Sequence, residues 1–290
     1  MEALFKLLAK SLAKWPLPLL HAVGAAVGFV AYTFSPTYRR RFKANSRLAG
    51  YATAQVRGAV AHAGRMVAEL PRLWWGAPVS IQWDGAELID QAHAVGKGIV
   101  FLTPHLGCFE VTAQAYAQRY AAQGKAMTVL YRPARKAWLQ ALVSQSRNRP
   151  GLAAAPATLA GVKTLVKALR SGQALGILPD QVPPLGLGVW ADFFGQSAYS
   201  MTLPARLAKQ TGATILLAWG ERLAHGAGYC VHLRPFAASL SDAPAQAAAQ
   251  INAAMESLVR ECPQQYLWGY ARYKAPRTDG VLATSSESAS

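Results

Sequence analysis

Gly98-Ile99-Val100-Phe101-Leu102-Thr103-Pro104-His105-Leu106-Gly107-Cys108-Phe109-Glu110 is a short apolar run that breaks at a proline and then presents a histidine and a glutamate. Residues 98–102 read as a buried strand, because a brief β-branched and aromatic run entered through glycine is too short for a buried helix. From Cys108 the pattern turns helical, with Phe109, Val111, Thr112, Ala115 and Tyr116 leading to Arg119, so Glu110 falls in the first turn of a helix. Two residues five apart in one helix would point roughly 140° away from each other. A loop-to-helix corner removes that obstacle. His105 on the loop is then free to turn towards the helix start, with Glu110 accepting from one ring nitrogen and the other ring nitrogen left to take a proton from a hydroxyl. The alternative reading makes His105 a turn residue and Glu110 a complement to the positive end of a helix. Cys108, between them, reads as a small core residue rather than a nucleophile.

The segment from Gly96 to Glu110 resembles the first motif of the late lipid A acyltransferases, the lauroyl and myristoyl transferases that use His-x4-Glu where glycerolipid acyltransferases use His-x4-Asp. Tyr131-Arg132-Pro133, Ser146-Arg147-Asn148-Arg149, Ile177-Leu178-Pro179-Asp180-Gln181, Phe193-Phe194-Gly195, Tyr266-Leu267-Trp268 and Arg272-Tyr273-Lys274 follow in the family's order, covering roughly residues 80–277. One departure is visible: the family usually has Asn-Trp where this chain has Cys108-Phe109. The resemblance implies an α/β fold, with a mixed, largely parallel central sheet flanked by helices as in glycerolipid acyltransferases, and an N-terminal membrane-anchoring helix. It implies transfer of an acyl chain from acyl carrier protein to a hydroxyl of a lipid A precursor, with His105 and Glu110 as the base pair and no covalent acyl-enzyme. Arg132, Arg147 and Arg149 resemble a site for the acceptor's phosphates, and Asp180 and Gln181 join them as substrate-binding candidates.

The rest of the chain is read in order. Residues 15–38 contain no Asp, Glu, Lys or Arg, a run nearly long enough to span a bilayer, which takes about 20 residues. Pro16, Pro18 and His21 interrupt its front, so a tilted or interfacial helix fits as well as a spanning one. Lys6, Lys10 and Lys14 precede the run, and Arg39, Arg40, Arg41, Lys43 and Arg47 follow it. That bias places the rest of the chain in the cytoplasm, behind a single anchor, and the resemblance implies that the membrane is the inner one. Residues 44–73 read as one Ala-rich helix stopped by Pro71, and Trp74-Trp75 suit either a headgroup boundary or the core. Strands are expected at 79–83, 126–131, 174–178 and 189–194, with helices at 87–95, 158–169, 201–211 (Ser200 as N-cap) and 242–261. Residues 214–219 and 229–233 read as an antiparallel hairpin at a sheet edge. In a βαβ sheet, ligand groups gather at the strands' carboxyl ends, which brings Arg132 and Asp180 to the crevice that holds His105. Asp180 is suited to orient an arginine or accept from a sugar hydroxyl; a turn aspartate before Pro183-Pro184 is the alternative. Phe193-Phe194-Gly195 are candidates for lining an acyl groove. Three units follow: 1–43 as anchor and basic flank, 44–277 as the acyltransferase domain, and 278–290 as a Ser-rich disordered tail.

Composition limits the partners. The net charge is +16 over 290 residues with 52% hydrophobic content, and the pI is about 10.1 with a mean hydropathy of +0.12. An anionic partner follows: nucleic acid, an acidic protein, or an anionic bilayer, of which the resemblance implies acyl carrier protein and a membrane lipid acceptor. No nucleic-acid motif is found, and a His-acid corner would have no task there, so nucleic acid is set aside and a non-catalytic membrane-coating protein is the remaining binding alternative. Another glycolipid or aminolipid is the alternative acceptor. Cys108, Cys230 and Cys262 are scattered, and no P-loop, zinc spacing or Gly-x-Gly-x-x-Gly motif occurs, so neither metal nor cofactor is expected.

Overall fold

The structure is a computed structural model and describes residues 2–131 and 146–277. Arg132, Arg135 and Lys136, and the tail from residue 278, lie outside the described residues. Five helices come first: α1 (Glu2–Leu12), α2 (Leu17–Phe34), α3 (Pro36–Leu48), α4 (Gly58–Ala68) and α5 (Leu70–Trp75). The alternating part follows as β1 (Ile81–Asp84), α6 (Glu87–Val95), β2 (Ile99–Leu102), α7 (Phe109–Tyr120), β3 (Met127–Tyr131), β4 (Leu152–Pro156), α8 (Leu159–Arg170) and β5 (Ala174–Ile177). The chain closes with β6 (Gly188–Phe193), β7 (Gln196–Met201), α9 (Leu203–Thr211), β8 (Thr214–Arg222), β9 (Tyr229–Pro235) and α10 (Pro244–Glu261).

Seven strands form one sheet in the order β1-β9-β8-β2-β5-β3-β4, and β6 and β7 form a separate antiparallel hairpin. Parallel pairing joins β8, β2, β5, β3 and β4, whereas β9 runs antiparallel to β8 and parallel to β1. The mixed, largely parallel sheet expected from the resemblance is therefore present. All four residues of β2 are buried, because helices cover both faces of the sheet at its centre. One core, with Val100, Leu102, Leu165 and Trp268, lies on one face, and a second, with Ile99, Phe101, Val111 and Tyr116, lies on the face covered by α7.

Three expectations are corrected. The single helix over 44–73 is broken at Gly50, whose φ of 87° reverses the chain, and again at Glu69. The β8-β9 hairpin is not at an edge, since β1 pairs outside it. Ser200 does not cap a helix: it lies buried in β7 and accepts from Asn252 Nδ2 and Arg272 Nη2, while Thr202 takes the N-cap position of α9. Phe193 and Phe194 pack into the core of the β6-β7 side, with Phe194 and Trp268 ring centres 5.9 Å apart.

A buried ion pair fastens the amino-terminal helices to the sheet. Glu69, between α4 and α5, is fully buried and accepts from Arg222 Nη2 at 2.6 Å and Nε at 2.9 Å, from Tyr229 Oη at 2.9 Å and from His21 Nε2 of α2 at 3.1 Å. Burial works to raise the Glu69 pKa, but the charge and hydrogen bonds of Arg222 and the bond from His21 outweigh it and bring it down to about 2. A carboxyl depressed in this way contributes stability above its unfolded value, and that contribution is lost as pH falls towards about 2. Replacing Glu69 by alanine leaves Arg222 buried without its partner, which costs about 3–5 kcal/mol. Denaturant unfolding of Glu69→Ala should show that loss at neutral pH, together with a smaller decline in stability than wild type between about pH 4 and pH 2.

Candidate active site

The site grows from the register of two neighbouring strands. Leu102 of β2 lies opposite Ile177 of β5, so the residues three beyond each, His105 and Asp180, leave the sheet at the same level. Asp180 is buried and receives two bonds from His105: the backbone N–H donates to Oδ2 at 2.8 Å and ring Nδ1 donates to Oδ1 at 2.8 Å. Tyr266 Oη approaches Oδ2 at 3.4 Å. Burial alone would raise the Asp180 pKa, but the facing His105 and its hydrogen bonds more than offset it and hold the carboxyl below its usual range. With Nδ1 donating, Nε2 carries the lone pair, and the side-chain amide nitrogen of Gln181 donates to it at 2.9 Å. The ring itself is half-buried and lies against Phe109, with centroids 5.0 Å apart.

The hydrogen bond expected from His105 to Glu110 is thus replaced by one from His105 to Asp180, and both ring nitrogens are occupied. Glu110 is held elsewhere. Its Oε1 accepts from Arg147 Nε at 3.0 Å and Trp74 Nε1 at 3.0 Å, and its Oε2 accepts from Arg147 Nη2 at 2.8 Å. The reason lies in three of the four residues between them. Leu106 bridges to Tyr266, and Gly107 N–H donates to Gln265 O while Cys108 N–H donates to Gly220 O, so the corner is pinned to β8 and to the segment before Trp268. Gly107 sits at φ 58°, and a Cβ there would overlap the carbonyl oxygen of Gly220. This approach starts α7 with Glu110 turned towards α5 rather than towards the ring.

Arg147 and Arg149 come to the same wall of the site by different means. Arg147 is mostly buried; that burial would lower its pKa, but the Glu110 carboxylate beside it raises it on balance. Arg149 donates to the carbonyls of Trp74 at 2.8 Å and Ser146 at 3.1 Å and reaches that of Leu73, so it clasps the last turn of α5. Burial lowers the Arg149 pKa. Beneath Glu110 and Arg147 an apolar cleft opens between α7 and the sheet, lined by Phe101, Phe109, Tyr116, Met127, Val129 and Ile177 among others. Cys108 is buried at 1% exposure, and burial pushes its thiol pKa up, so it is a packed core group beside Glu69 and no nucleophile. Among the described residues no group of three or more His, Cys, Asp or Glu side chains is placed to hold a metal ion.

Two site residues escaped the sequence reading. Trp74, whose sequence context suits a headgroup boundary or the core, is a hydrogen-bond donor to Glu110, and Tyr266, which the sequence marks only as part of a family motif, flanks Asp180. The signal for the Asp180 contact was present in the strand spacing, since β2 and β5 each continue three residues to a polar group.

Residues 3–275 match the model of the bacterial lipid A biosynthesis acyltransferase family. The chain is 32% identical over 186 residues to a lipid A biosynthesis acyltransferase of Haemophilus influenzae, a match covering 63% of this chain and 56% of that protein. It is 26% identical over 202 residues to the lipid A biosynthesis lauroyltransferase of Escherichia coli, covering 68% and 62%, and 26% identical over 191 residues to the myristoyltransferase of that organism, covering 65% and 57%. The chain therefore spans less than two thirds of the length of the relatives it matches. Since the family match runs through nearly every described residue, including the strand ends that carry His105 and Asp180, the chain belongs to the bacterial lipid A biosynthesis acyltransferase family.

Proposed function

We propose that the protein transfers a fatty acyl chain from an acyl thioester to a hydroxyl of a lipid A precursor at the inner membrane, with His105 as general base. The observation that carries this is the His105 ring, fixed by Asp180 at Nδ1 and offering Nε2 to a donor 2.9 Å away. The Gln181 amide marks the place that an acceptor hydroxyl would take. In that place the hydroxyl gives its proton to Nε2 as its oxygen attacks the thioester carbonyl carbon. The resulting tetrahedral intermediate then expels the thiolate, which recovers the proton from the imidazolium. Asp180 holds the tautomer and stabilises the imidazolium, as in other His-acid pairs. No side chain is acylated in this sequence, consistent with the burial of Cys108.

The apolar cleft under α7 is suited to the acyl chain, since it begins at Glu110 and Arg147 and is lined by hydrocarbon and aromatic rings. Glu110 takes the role of a positioning residue that holds Arg147 and Trp74 at the mouth of that cleft. Arg132, Arg147 and Arg149 remain the candidates for the acceptor's phosphates; Arg147 would share its guanidinium with Glu110, whose bidentate grip leaves further N–H donors on the fork. Acyl carrier protein is the donor that best suits a chain of net charge +16, because an acidic carrier would be steered to it.

Mass spectrometry of a lipid A precursor incubated with purified protein and an acyl-carrier thioester should show one added acyl chain; absence of acylation with every donor chain length would overturn the assignment. His105→Ala and Asp180→Asn should each lower kcat by about 10²–10⁴ while the protein stays folded. Glu110→Ala and Arg147→Ala should be non-additive, the double variant retaining about the activity of the worse single one, whereas additive losses would separate the two residues. Raising ionic strength should lower kcat/KM for the carrier-bound donor more than kcat, since steering acts on association and the Debye length contracts from about 10 Å at 0.1 M towards 3 Å at 1 M.

A further inference from the structure

The apolar helix α2 is 18 residues long with a mean hydropathy of 1.6, enough by length and composition to cross a membrane. Its packing argues against doing so. Gly24 and Gly28 on α2 meet Gly64 on α4 so closely that a Cβ on Gly64 would overlap the carbonyl oxygen of Gly24, and one on Gly28 that of Val60. The two helices are welded along their length by this glycine contact. Both ends of α2 are also held by the folded domain. At the start, Pro18 meets the turn at Ala224–Gly226 and His21 donates to the buried Glu69; at the finish, Tyr32 packs edge-on to Phe42 of the core at 5.5 Å. A helix of about 27 Å whose two ends touch one domain cannot put them on opposite sides of a bilayer unless that domain enters the hydrocarbon. The partner helix α4 carries Arg65, which donates to His21 O, and charged groups at that depth are strongly disfavoured.

The other face of α2 is apolar and open to solvent, with Leu19 45%, Val27 57% and Phe34 80% exposed. Exposed cations flank it at both ends: Lys10 and Lys14 before it, and Arg40, Arg41, Lys43 and Arg47 after it. Arg39 donates to the carbonyl of Thr33 at 2.9 Å and so covers the helix end. Both basic clusters adjoin the ends of this helix, one before it and one after it. We propose that α2 lies in the plane of the membrane, its outer face sunk into the headgroup and acyl boundary of an anionic leaflet and its basic flanks on the lipid phosphates, without spanning. The placement goes beyond the acyl-transfer reading and does not depend on it. It also sets the site at the membrane surface: α1 packs on α5, where Arg72 donates to Ala13 O and Trp74 reaches Glu110. A lipid acceptor would then enter from the leaflet without leaving it.

Spin-label depth measurement tests this on the full chain, with Cys230 and Cys262 replaced by serine and single labels placed through Leu19→Cys, Val27→Cys and Phe34→Cys. In vesicles of phosphatidylcholine and phosphatidylglycerol, the three labels should share a shallow depth of about 5–10 Å. Val27 at the bilayer centre with Leu19 and Phe34 near opposite surfaces would overturn the proposal, as would all three labels in water. Val27→Asp, on the exposed face, should weaken binding to these vesicles at least about tenfold and leave acyl transfer in detergent unchanged. Vesicles of phosphatidylcholine alone should bind more weakly, by about fivefold for each cation that reaches the surface, and equal binding to both compositions would remove the charged flanks from the account. Because depth is read without turnover, a spanning result would leave the acyltransferase assignment standing, and an inactive protein with shallow labels would leave the placement standing.

Discussion

The in-register pairing of β2 with β5 is the constraint on which the site depends. Parallel neighbours carry whatever follows them to the same end of the sheet, and here each continues three residues past its last paired position to a polar side chain. The distance from His105 Nδ1 to Asp180 Oδ1 is therefore set by backbone pairing in the centre of the molecule rather than by the loops themselves. A slip of either strand by one residue would turn Asp180 away from the ring and bring buried apolar residues to the wrong face. The second bond, from the His105 backbone N–H to the same carboxylate, ties the loop as well as the ring. It makes the orientation of the imidazole a property of the fold.

The amino-terminal helices are joined to this arrangement through Glu69. The carboxylate gathers donors from α2, β8 and β9, which are Arg222, Tyr229 and His21. Its position between α4 and α5 fixes where Trp74 and Arg149 meet the wall of the site. The same element that sets the apolar helix against the domain thus also sets one side of the cleft. An arginine and a carboxylate buried together stabilise less than their contact suggests, because both lost their hydration, but the geometry they impose is strict.

Much of this was legible in the chain. The strand at 98–102, the helix that carries Glu110 and the strand that ends before Asp180 follow from hydrophobic period and from the glycine and proline breaks, whereas the largely parallel sheet is what the family resemblance implies. Other features were not, for physical reasons. Leu152–Pro156 is a strand of three alanines between a leucine and a proline, and its pairing comes from β3 alone, so local propensity gives no sign of it. Gln196–Met201 is polar at its start and becomes a strand through the β6 hairpin, which drew Ser200 out of a capping position and into the core. A spacing of five in sequence points His105 to Glu110, whereas contact across a sheet follows register and brings it a partner 75 residues away; the pinning of Gly107 and Cys108 to β8 and to the segment before Trp268 has no local signature.

In the proposed reaction Asp180 fixes His105 with its proton on Nδ1, which leaves Nε2 as the base. Nitrogen-15 spectra of the protein with labelled histidine rings test it directly, with His105→Gln identifying the signal. His105 at neutral pH should carry its proton on Nδ1 in the wild-type protein, and Asp180→Asn should abolish this preference. A wild-type His105 with the proton on Nε2 would contradict it, since the nitrogen assigned to receive the hydroxyl proton would already hold one.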